Sequence, residues 1–343
     1  MSEDSENAPK DREGSRSYSA PRVNWKISDF EIVRRLGAGS CSAVAHCIHK
    51  VTKMEYAVKM VDKTVIKRNN LTEYVVQERN ILDRLDDDGV AKLYFTFQDH
   101  CHLYFGQELC TQGELADQIL ERKNLGFESA VFYAAEVVLI LEYFRTVGII
   151  HRDIKPENLV MTEEGHLKII DFGCAKDLNA KPNEGKRKRR VSFVGTADYV
   201  APEVLENTRV SFATDLWGLG CVVYQMFAGR PPFRGGSEYL TYQNISSREF
   251  SYPDDFPGLA KDLVDALLQL QPEARLGCDD LEELKKHEFF SGIEWEKVRS
   301  GKAPGFIRRP EHNPEEDDLD WDLKTLANAL PVQYDFVPNP KLG

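Results

Sequence analysis

The chain has 343 residues, and its 44 lysines and arginines against 56 aspartates and glutamates give a net charge of −12. This length allows a sizeable core in about two compact units. The acidic charge excludes non-specific nucleic-acid binding as a default activity, because phosphate would be repelled. The seven cysteines show no CxxC spacing, which argues against a disulfide framework and a zinc site.

The first part of the chain is a polar arm followed by a sheet. Residues 1–29 are rich in serine and charged residues and predict a disordered arm without the apolar core of a signal peptide. We therefore expect a cytoplasmic protein, or one that shuttles between cytosol and nucleus. An apolar stripe predicts one helix at 71–85. Short β-branched and aromatic runs predict five strands, at residues 30–36, 43–48, 55–61, 92–97 and 102–107.

Beyond residue 114 the pattern becomes helical. Long apolar segments predict helices at 129–147, 212–228 and 258–270. The fold class expected is α+β, with a small sheet-rich unit at 30–108 and a larger, mainly helical unit at 114–290. Residues 291–343 form an extension that we expect to be partly disordered.

A glycine-rich turn joins the first two strands. Gly37 and Gly39 follow Leu36, and the chain continues into a strand rather than a helix, which disfavours a Rossmann fingerprint. Glycines in such a hairpin let backbone N–H groups approach the phosphates of a nucleotide. The pair is weak evidence alone, because most such glycines only form tight turns.

Two charged residues interrupt apolar patterns in the small unit. Lys59 lies within the apolar third strand, and Glu78 falls on the apolar stripe of the predicted helix. A buried charge is costly unless it is paired, so we expect an ion pair between them. The alternative is two separate side chains that each reach solvent.

The strongest signal is the ordered set HRDIKPEN and DFG, with 18 residues from Asp153 to Asp171. Phosphoryl transfer needs charge neutralisation and alignment more than covalent help. Asp153 could accept or orient a substrate hydroxyl, and Lys155 could balance phosphate charge. Asn158 and Asp171 provide the hard oxygen ligands that suit Mg²⁺ shared with ATP. Each residue alone could be an ordinary turn residue, but the ordered set is specific.

With these motifs followed by Ala201-Pro202-Glu203 and Asp215-Leu216-Trp217-Gly218, residues 30–290 resemble a eukaryotic protein kinase. The resemblance implies a bilobal kinase fold with ATP and Mg²⁺ in the cleft, a pairing of Glu203 with Arg275, and Asp215 steadying the catalytic loop. The implied catalytic residues are Lys59, Glu78, Asp153, Lys155 and Asn158, and the metal ligands are Asn158 and Asp171. The implied ATP-binding residues are Leu36, Gly37, Gly39, Ser40, Val44, Ala57, Lys59, Glu108, Cys110, Glu114, Glu157, Asn158, Val160 and Asp171.

Further stretches resemble the 3-phosphoinositide-dependent kinases of the AGC group. They are residues 92–99, 103–106, 192–197 and 231–240, with Ser42 where a third loop glycine often stands. This resemblance implies a monomeric serine/threonine kinase that phosphorylates activation loops of other AGC kinases bearing a hydrophobic motif. Only 53 residues follow residue 290, fewer than the about 100 that the family's lipid-binding domain needs, so no direct membrane binding is expected.

The resemblance also implies that Ser192 is the activation-loop phosphosite, with Arg152 and Lys176 binding its phosphate. The residues themselves support this, since Ser192 follows the basic run 186–190 in a pattern typical of basophilic kinase sites. The basic run could instead be a solvated loop or a nuclear-localisation patch.

The family binds the phosphorylated hydrophobic motif of its substrates in a small-lobe pocket. An apolar lining with Arg79 at the rim suits aromatic side chains and a phosphate, although the apolar members could also only pack the helix on the sheet. Glu31 stands where a phosphate-contacting basic residue is expected, which leaves the phosphate dependence open. The matching positions are Lys63, Ile66, Val75, Val76, Arg79, Thr96, Gln98, Leu103 and Phe105.

Two other functions compete with this interpretation. A pseudokinase scaffold would lack a catalytic element, yet all of them are present in the sequence. A downstream AGC effector kinase would carry a Phe-x-x-Phe motif in its tail, and residues 291–343 contain none. Cys110 and Cys174 lie near the expected ATP site and are candidates for covalent modification.

Overall fold

The computed structural model describes residues 20–39, 42–180 and 197–309. Its small lobe is built on a five-stranded antiparallel sheet in the order β1-β2-β3-β5-β4. All five strands expected from the β-branched and aromatic runs are present. They are β1 (Phe30–Ala38), β2 (Ser42–His49), β3 (Glu55–Asp62), β4 (Leu93–Gln98) and β5 (His102–Gln107).

The two faces of this sheet bury different cores. Val58 of β3 packs with Phe95 and Tyr104 in an aromatic cluster on one face. Val61 belongs to the larger core of the molecule on the other face. Because side chains along a strand alternate between faces, Lys59 shares the face of Val61. The alternation therefore turns Lys59 away from the aromatic cluster.

Two helices lie between β3 and β4, namely α1 (Lys63–Arg68) and α2 (Thr72–Leu82). Helix α2 is the one expected at 71–85, and it buries Glu78 together with Ile81 and Leu82. Helix α1 begins where the Asp62 side chain accepts hydrogen bonds from two backbone N–H groups. Its six residues are too few to give a periodic pattern, so the sequence did not predict it.

The large lobe is mainly helical. Its helices are α3 (Leu115–Arg122), α4 (Phe127–Val147), α5 (Pro202–Leu205), α6 (Ala213–Ala228), α7 (Glu238–Ser247), α8 (Gly258–Leu267) and α9 (Leu281–Lys285). Two short ladders pair β6 (Ile149–Ile150) with β9 (Lys176–Asp177) and β7 (Leu159–Met161) with β8 (Leu167–Ile169). Helix α6 is buried over almost its whole length, because α4 and α8 both pack on it. The three long predicted helices are thus present, and α8 ends three residues before the predicted end.

Residues before β1 are packed, which corrects the expectation of a disordered arm up to residue 29. The backbone N–H of Val23 donates to the carbonyl of Thr96 at 3.1 Å, and the N–H of Thr96 donates to the carbonyl of Pro21 at 3.2 Å. Ala20 is only 4% exposed within the main core. The prediction of a disordered arm therefore does not hold for residues 20–29. Residues 1–19 lie outside the described part.

The extension after residue 290 is described as far as residue 309 and packs on the large lobe. Val298 and Ala303 are buried, and Phe306 lies against the main core. The acidic cluster of this extension lies outside the described residues. Within residues 20–39, 42–180 and 197–309, no helix has the length and apolar character to cross a bilayer.

Candidate active site

The ion pair expected between β3 and α2 is present. Lys59 Nζ donates to Glu78 Oε1 at 2.5 Å and to Asp171 Oδ1 at 3.3 Å. Glu78 is 4% exposed, so its carboxylate has left water and needs this partner. Burial alone would lower the pKa of Lys59, but the carboxylates of Asp171 and Glu78 raise it above its ordinary value. Lys59 is therefore a fixed cation that joins the two lobes.

Asp171 lies at the opening of the cleft in an unusual backbone conformation. Its φ of 62° is left-handed, and its side chain accepts a hydrogen bond from the N–H of Gly173. The positive charge of Lys59 lowers the pKa of Asp171 to about 2. The carboxylate is thus ionised at neutral pH, as a ligand of a divalent cation must be.

The catalytic loop holds three polar side chains together. Lys155 Nζ donates to Asp153 Oδ2 at 2.8 Å, and Asn158 Nδ2 donates to the same oxygen at 2.9 Å and to the Asp153 carbonyl at 2.8 Å. The Asn158 amide is thereby oriented, which leaves its Oδ1 to serve as a ligand. Among the described residues no partner occupies Asp153 Oδ1, which could therefore accept from a substrate hydroxyl.

Asp215 anchors this loop from helix α6. Its two carboxylate oxygens accept the backbone N–H groups of His151, at 2.8 Å, and Arg152, at 2.7 Å. Arg152 has a left-handed φ of 67°, so these bonds hold a strained backbone just before Asp153. Burial raises the pKa of Asp215 to about 7, although both N–H donors act in the opposite direction.

The expected nucleotide-binding residues lie along one cleft between the lobes. Val44 pairs with Lys59 across β2 and β3, and Ala57 pairs with Gln107 across β3 and β5. From the other side Val160 of β7 forms a bridge with Glu114. The hinge from Glu108 to Cys110 connects the two sides. Leu36 and Gly37 lie near the end of β1 and Gly39 directly follows the strand, whereas Ser40 falls outside the described residues.

Two observations show that these residues fit a nucleotide. A Cβ placed on Gly37 would meet no atom of the described residues within 4 Å, so these residues leave open space beside the backbone of Gly37. Glu157 Oε2 is buried without a hydrogen-bond partner among the described residues, and burial raises the pKa of this carboxyl. Such an orphaned acceptor fits a ligand that brings a donor. Asn158 and Asp171 supply the oxygen atoms for a cation shared with phosphates.

The two cysteines near the cleft have weakly acidic thiols. Burial raises the pKa of Cys110 to about 12 and that of Cys174 to about 11. The reactive thiolate is therefore scarce at neutral pH, which argues against covalent modification at either position.

The pair expected between Glu203 and Arg275 is confirmed. Arg275 Nη1 and Nη2 donate to the two Glu203 oxygens at 2.8 Å and 2.7 Å, and Arg275 is 2% exposed. Arg275 also donates to the carbonyl of Ala213 and lies over the ring of Trp217. Arg275 therefore ties helix α5, which carries Glu203, to the first residue of α6.

The expected docking residues gather around α1, α2 and the β4–β5 edge. Ile66, Val75 and Phe105 share one core with partly buried Leu103 beside it, and Val76 is 51% exposed. Lys63 Nζ donates to Gln98 Oε1 at 2.8 Å, while Arg79 Nη2 pairs with Asp83 at 3.2 Å. The backbone of Thr96 is already bonded to residues 21–23.

The expectation that Glu31 stands at a phosphate-contacting position of the docking pocket is wrong. Glu31 pairs with Ile48, which pairs in turn with Glu55 at the start of β3. Leu103 pairs with Val61, at the end of β3. Glu31 is therefore separated from the docking residues both across the sheet and along it, and it carries no argument against phosphate-dependent docking.

Ser192 lies outside the described residues, so its phosphorylation and its contacts with Lys176 remain predictions. Arg152 Nε donates to the carbonyl of Cys174 at 2.5 Å. No pattern in the sequence predicts that residues 307–309 contact the end of the hinge, because the partners lie almost two hundred positions apart and an exposed arginine is ordinary.

Comparisons with known proteins agree with this geometry. The protein kinase domain family matches residues 30–290. The 3-phosphoinositide-dependent protein kinase 1 of Arabidopsis thaliana is 43% identical over 335 residues, which cover 94% of this chain and 68% of that protein. The Homo sapiens protein of the same name is 44% identical over 302 residues, which cover 86% of this chain and 54% of that protein. The chain thus spans little more than half of the human relative.

Proposed function

The chain belongs to the protein kinase family, in its 3-phosphoinositide-dependent type, and on that premise we propose that it phosphorylates serine or threonine in the activation loops of other AGC kinases. Membership makes it a serine/threonine protein kinase. One observation carries the catalytic part of the proposal, namely the pairing of Lys59 with both Glu78 and Asp171 across the two lobes, and the resemblance to 3-phosphoinositide-dependent kinases supports the substrate class. A pseudokinase scaffold would not need this arrangement intact.

The roles of the residues follow from their positions. MgATP, when bound, would supply the phosphoryl group and neutralise part of its charge. Asn158 and Asp171 would hold Mg²⁺ through their free oxygen atoms. Lys59 would bind phosphate oxygens from the small lobe, and Lys155 would do so beside the reacting centre. Asp153 Oδ1 would orient the substrate hydroxyl and accept its proton.

Substrate choice is proposed to depend on the docking residues. The aromatic side chains of a hydrophobic motif would pack on the exposed Val76, over the buried apolar core at Ile66, Val75 and Phe105. Lys63 and Arg79 supply positive charge near that core, which suits a phosphate on the same motif. A partner engaged there would hold its activation loop near the catalytic cleft by raising its local concentration.

The substrate class is tested by incubating the full chain and MgATP with a panel of unphosphorylated AGC kinases, followed by mass spectrometry of the phosphorylated sites. We expect phosphate on their activation loops with the native chain and none with Asp153→Asn. Phosphorylation elsewhere only would contradict the proposed substrate class. The same modification with both chains would show that another kinase contaminates the reaction.

Docking is tested with a synthetic hydrophobic-motif peptide in phosphorylated and unphosphorylated forms. Val76→Asp places a charge at an exposed docking position without burying it, and we expect weaker peptide binding of about tenfold. Val51→Asp, on an exposed turn far from α2, is the matched control. Equal peptide affinity in both variants and the native chain would remove the docking proposal.

Ser192 is proposed as the regulatory phosphosite. A phosphate on this serine would be held electrostatically by Arg152 and Lys176 and would order the loop that precedes the substrate site. We expect Ser192→Ala to lower activity by about tenfold or more. Full activity of a preparation that mass spectrometry shows to be unphosphorylated at Ser192 would contradict this.

A further inference from the structure

The described end of the tail contacts the segment that leaves the hinge. The N–H of Ile307 donates to Gln118 Oε1 at 2.8 Å, and Gln118 Nε2 donates back to the Ile307 carbonyl at 2.8 Å. The N–H of Arg309 donates to Gln112 Oε1 at 3.1 Å. Gln112 and Gln118 are 6% and 2% exposed, so these amides are committed to the tail rather than to water.

The side chain of Arg309 reaches further, to the first turn of α3. Its guanidinium forms an ion pair with Asp117 Oδ2. The same oxygen accepts the backbone N–H of Glu114 at 2.8 Å. A Cβ on Gly113, whose φ is +81°, would lie 2.3 Å from Arg309 Nε, so the guanidinium packs directly on this backbone. Arg309 therefore contacts Gly113, which directly precedes Glu114, and Asp117, whose carboxylate accepts the backbone N–H of Glu114.

Strand β7 holds the same segment from the opposite side. The N–H of Met161 donates to the carbonyl of Gly113 at 2.8 Å, and the N–H of Gln112 donates to the carbonyl of Met161 at 3.2 Å. Glu114 itself forms a bridge with Val160, which lines the nucleotide cleft. The backbone that carries Glu114 is thus clamped between β7 and the tail.

The protonation state of the Glu114 carboxyl also depends on Arg309. Burial raises the pKa of the Glu114 carboxyl to about 7, and the carboxylates of Asp117 and Glu157 raise it too, whereas Arg309 and Lys155 lower it. Only the ionised carboxylate presents acceptors alone to a sugar hydroxyl. Loss of the Arg309 cation would leave more of Glu114 protonated near neutral pH.

We propose that Arg309 is a positioning residue for nucleotide recognition, which fixes Glu114 so that its carboxylate accepts the ribose hydroxyls of ATP. This inference rests on the proposed ATP site, in which Glu114 is a nucleotide-binding residue. The tail thereby supports Glu114, which lies between the hinge and α3 as the residue that precedes the helix. Arg309 acts through Asp117 and Gly113 and does not itself touch the nucleotide.

The test compares ATP with 2′-deoxy-ATP and 2′,3′-dideoxy-ATP as phosphoryl donors for the native chain, Arg309→Ala and Lys302→Ala. Lys302 is an exposed residue of the same tail and is the matched control. For Arg309→Ala we expect KM for ATP to rise about three- to tenfold with kcat nearly unchanged, because one charge-assisted contact is weakened. The preference for ATP over the deoxy nucleotides should shrink by the same factor. Arg309→Lys keeps the positive charge but lacks the planar guanidinium, so it should retain part of the preference for ATP.

A second measurement separates this inference from the proposed site. The KM for ATP of the native chain should fall as the pH rises through about 7, and this change should move to higher pH in Arg309→Ala. If Glu114→Gln loses ribose discrimination while Arg309→Ala keeps it with an unmoved pH profile, the role of Arg309 is refuted and the ribose role of Glu114 stands. If Glu114→Gln also keeps discrimination, Glu114 does not recognise the ribose, and the inference fails together with that part of the proposed site.

Discussion

The site is built mainly from charged residues. Some of them can be predicted from the sequence pattern and others cannot. Lys59 and Glu78 interrupt apolar patterns, so their pairing was predictable from the cost of burying a charge. Asp215 gave no such signal, because an acidic residue in the first turn of a helix is ordinary. Its role was expected only from the resemblance, and the structure supplies the reason in two backbone hydrogen bonds.

Asp215→Asn is expected to lower kcat by about tenfold or more while changing KM for ATP little. An amide presents a donor where one of the two backbone N–H groups needs an acceptor, so the strained peptide before Asp153 would relax. Steady-state kinetics at varied ATP measures both constants. Asp262→Asn, an exposed residue of α8, is the control and should match the native chain. A native kcat in Asp215→Asn would show that these bonds do not hold the loop.

At the scale of elements, the sheet was largely predictable and the short helices were not. The sheet leaves no room for a side chain at Gly106 of β5. This glycine pairs with Phe95 of β4, whose ring belongs to the aromatic cluster and covers the glycine. Strands carry a period of two that even six residues display. Helix α1 depends instead on its Asp62 cap, whereas helix α5 has no side-chain cap and depends on packing. A pattern of four to six residues reveals neither.

Gly106→Ala is expected to lower the free energy of unfolding by about 2 kcal/mol or more, because overpacking a core is costly. A Cβ there would lie 2.1 Å from Phe95 Cζ, so the ring or a strand must move. Gly258→Ala, at the start of α8, meets no atom within 4 Å and should be neutral or slightly stabilising. Thermal or denaturant unfolding of both variants checks the prediction, and equal stability would contradict it.

At the scale of the whole molecule, a buried carboxylate joins the tail to the large-lobe core. Glu136 of α4 is 0% exposed and accepts from His166 Nδ1 at 2.8 Å, from the N–H of Leu167 at 2.7 Å and from Arg299 Nη1 at 3.3 Å. The sequence could not reveal this cluster, since Arg299 is 163 positions from Glu136. Contacts between such distant residues depend on the complete fold.

The hydrogen bond to Glu136 raises the pKa of His166 above its ordinary value. A raised pKa means that folding binds a proton, so the stabilisation is complete below the unfolded pKa and is lost as the pH rises through the folded one. Relative to His166→Gln, the native chain should therefore lose stability as the pH rises above about 6.5, the ordinary pKa of histidine. Chemical denaturation at several pH values measures this. An identical pH dependence in both chains would contradict it.

Arg299→Ala should destabilise the native chain by about 2 kcal/mol, because one partner of a buried carboxylate is removed while two remain. The loss should be smaller in a Glu136→Gln background, where no charge needs compensation. A double-mutant cycle of unfolding free energies measures the difference. Additive losses would mean that Arg299 stabilises the fold through its hydrogen bonds to the carbonyls of Leu167 and Glu136 and through packing, and not through the Glu136 carboxylate.

Residues 21–23 cover the free edge of the small-lobe sheet and should thereby oppose the association of one chain with another. The outer edge of β4 offers backbone donors and acceptors, and at Thr96 both are satisfied by Pro21 and Val23. An uncovered sheet edge is a template on which a strand from a second molecule can assemble. A chain that begins at residue 24 would expose this edge, and it should aggregate at concentrations where the longer chain stays dispersed.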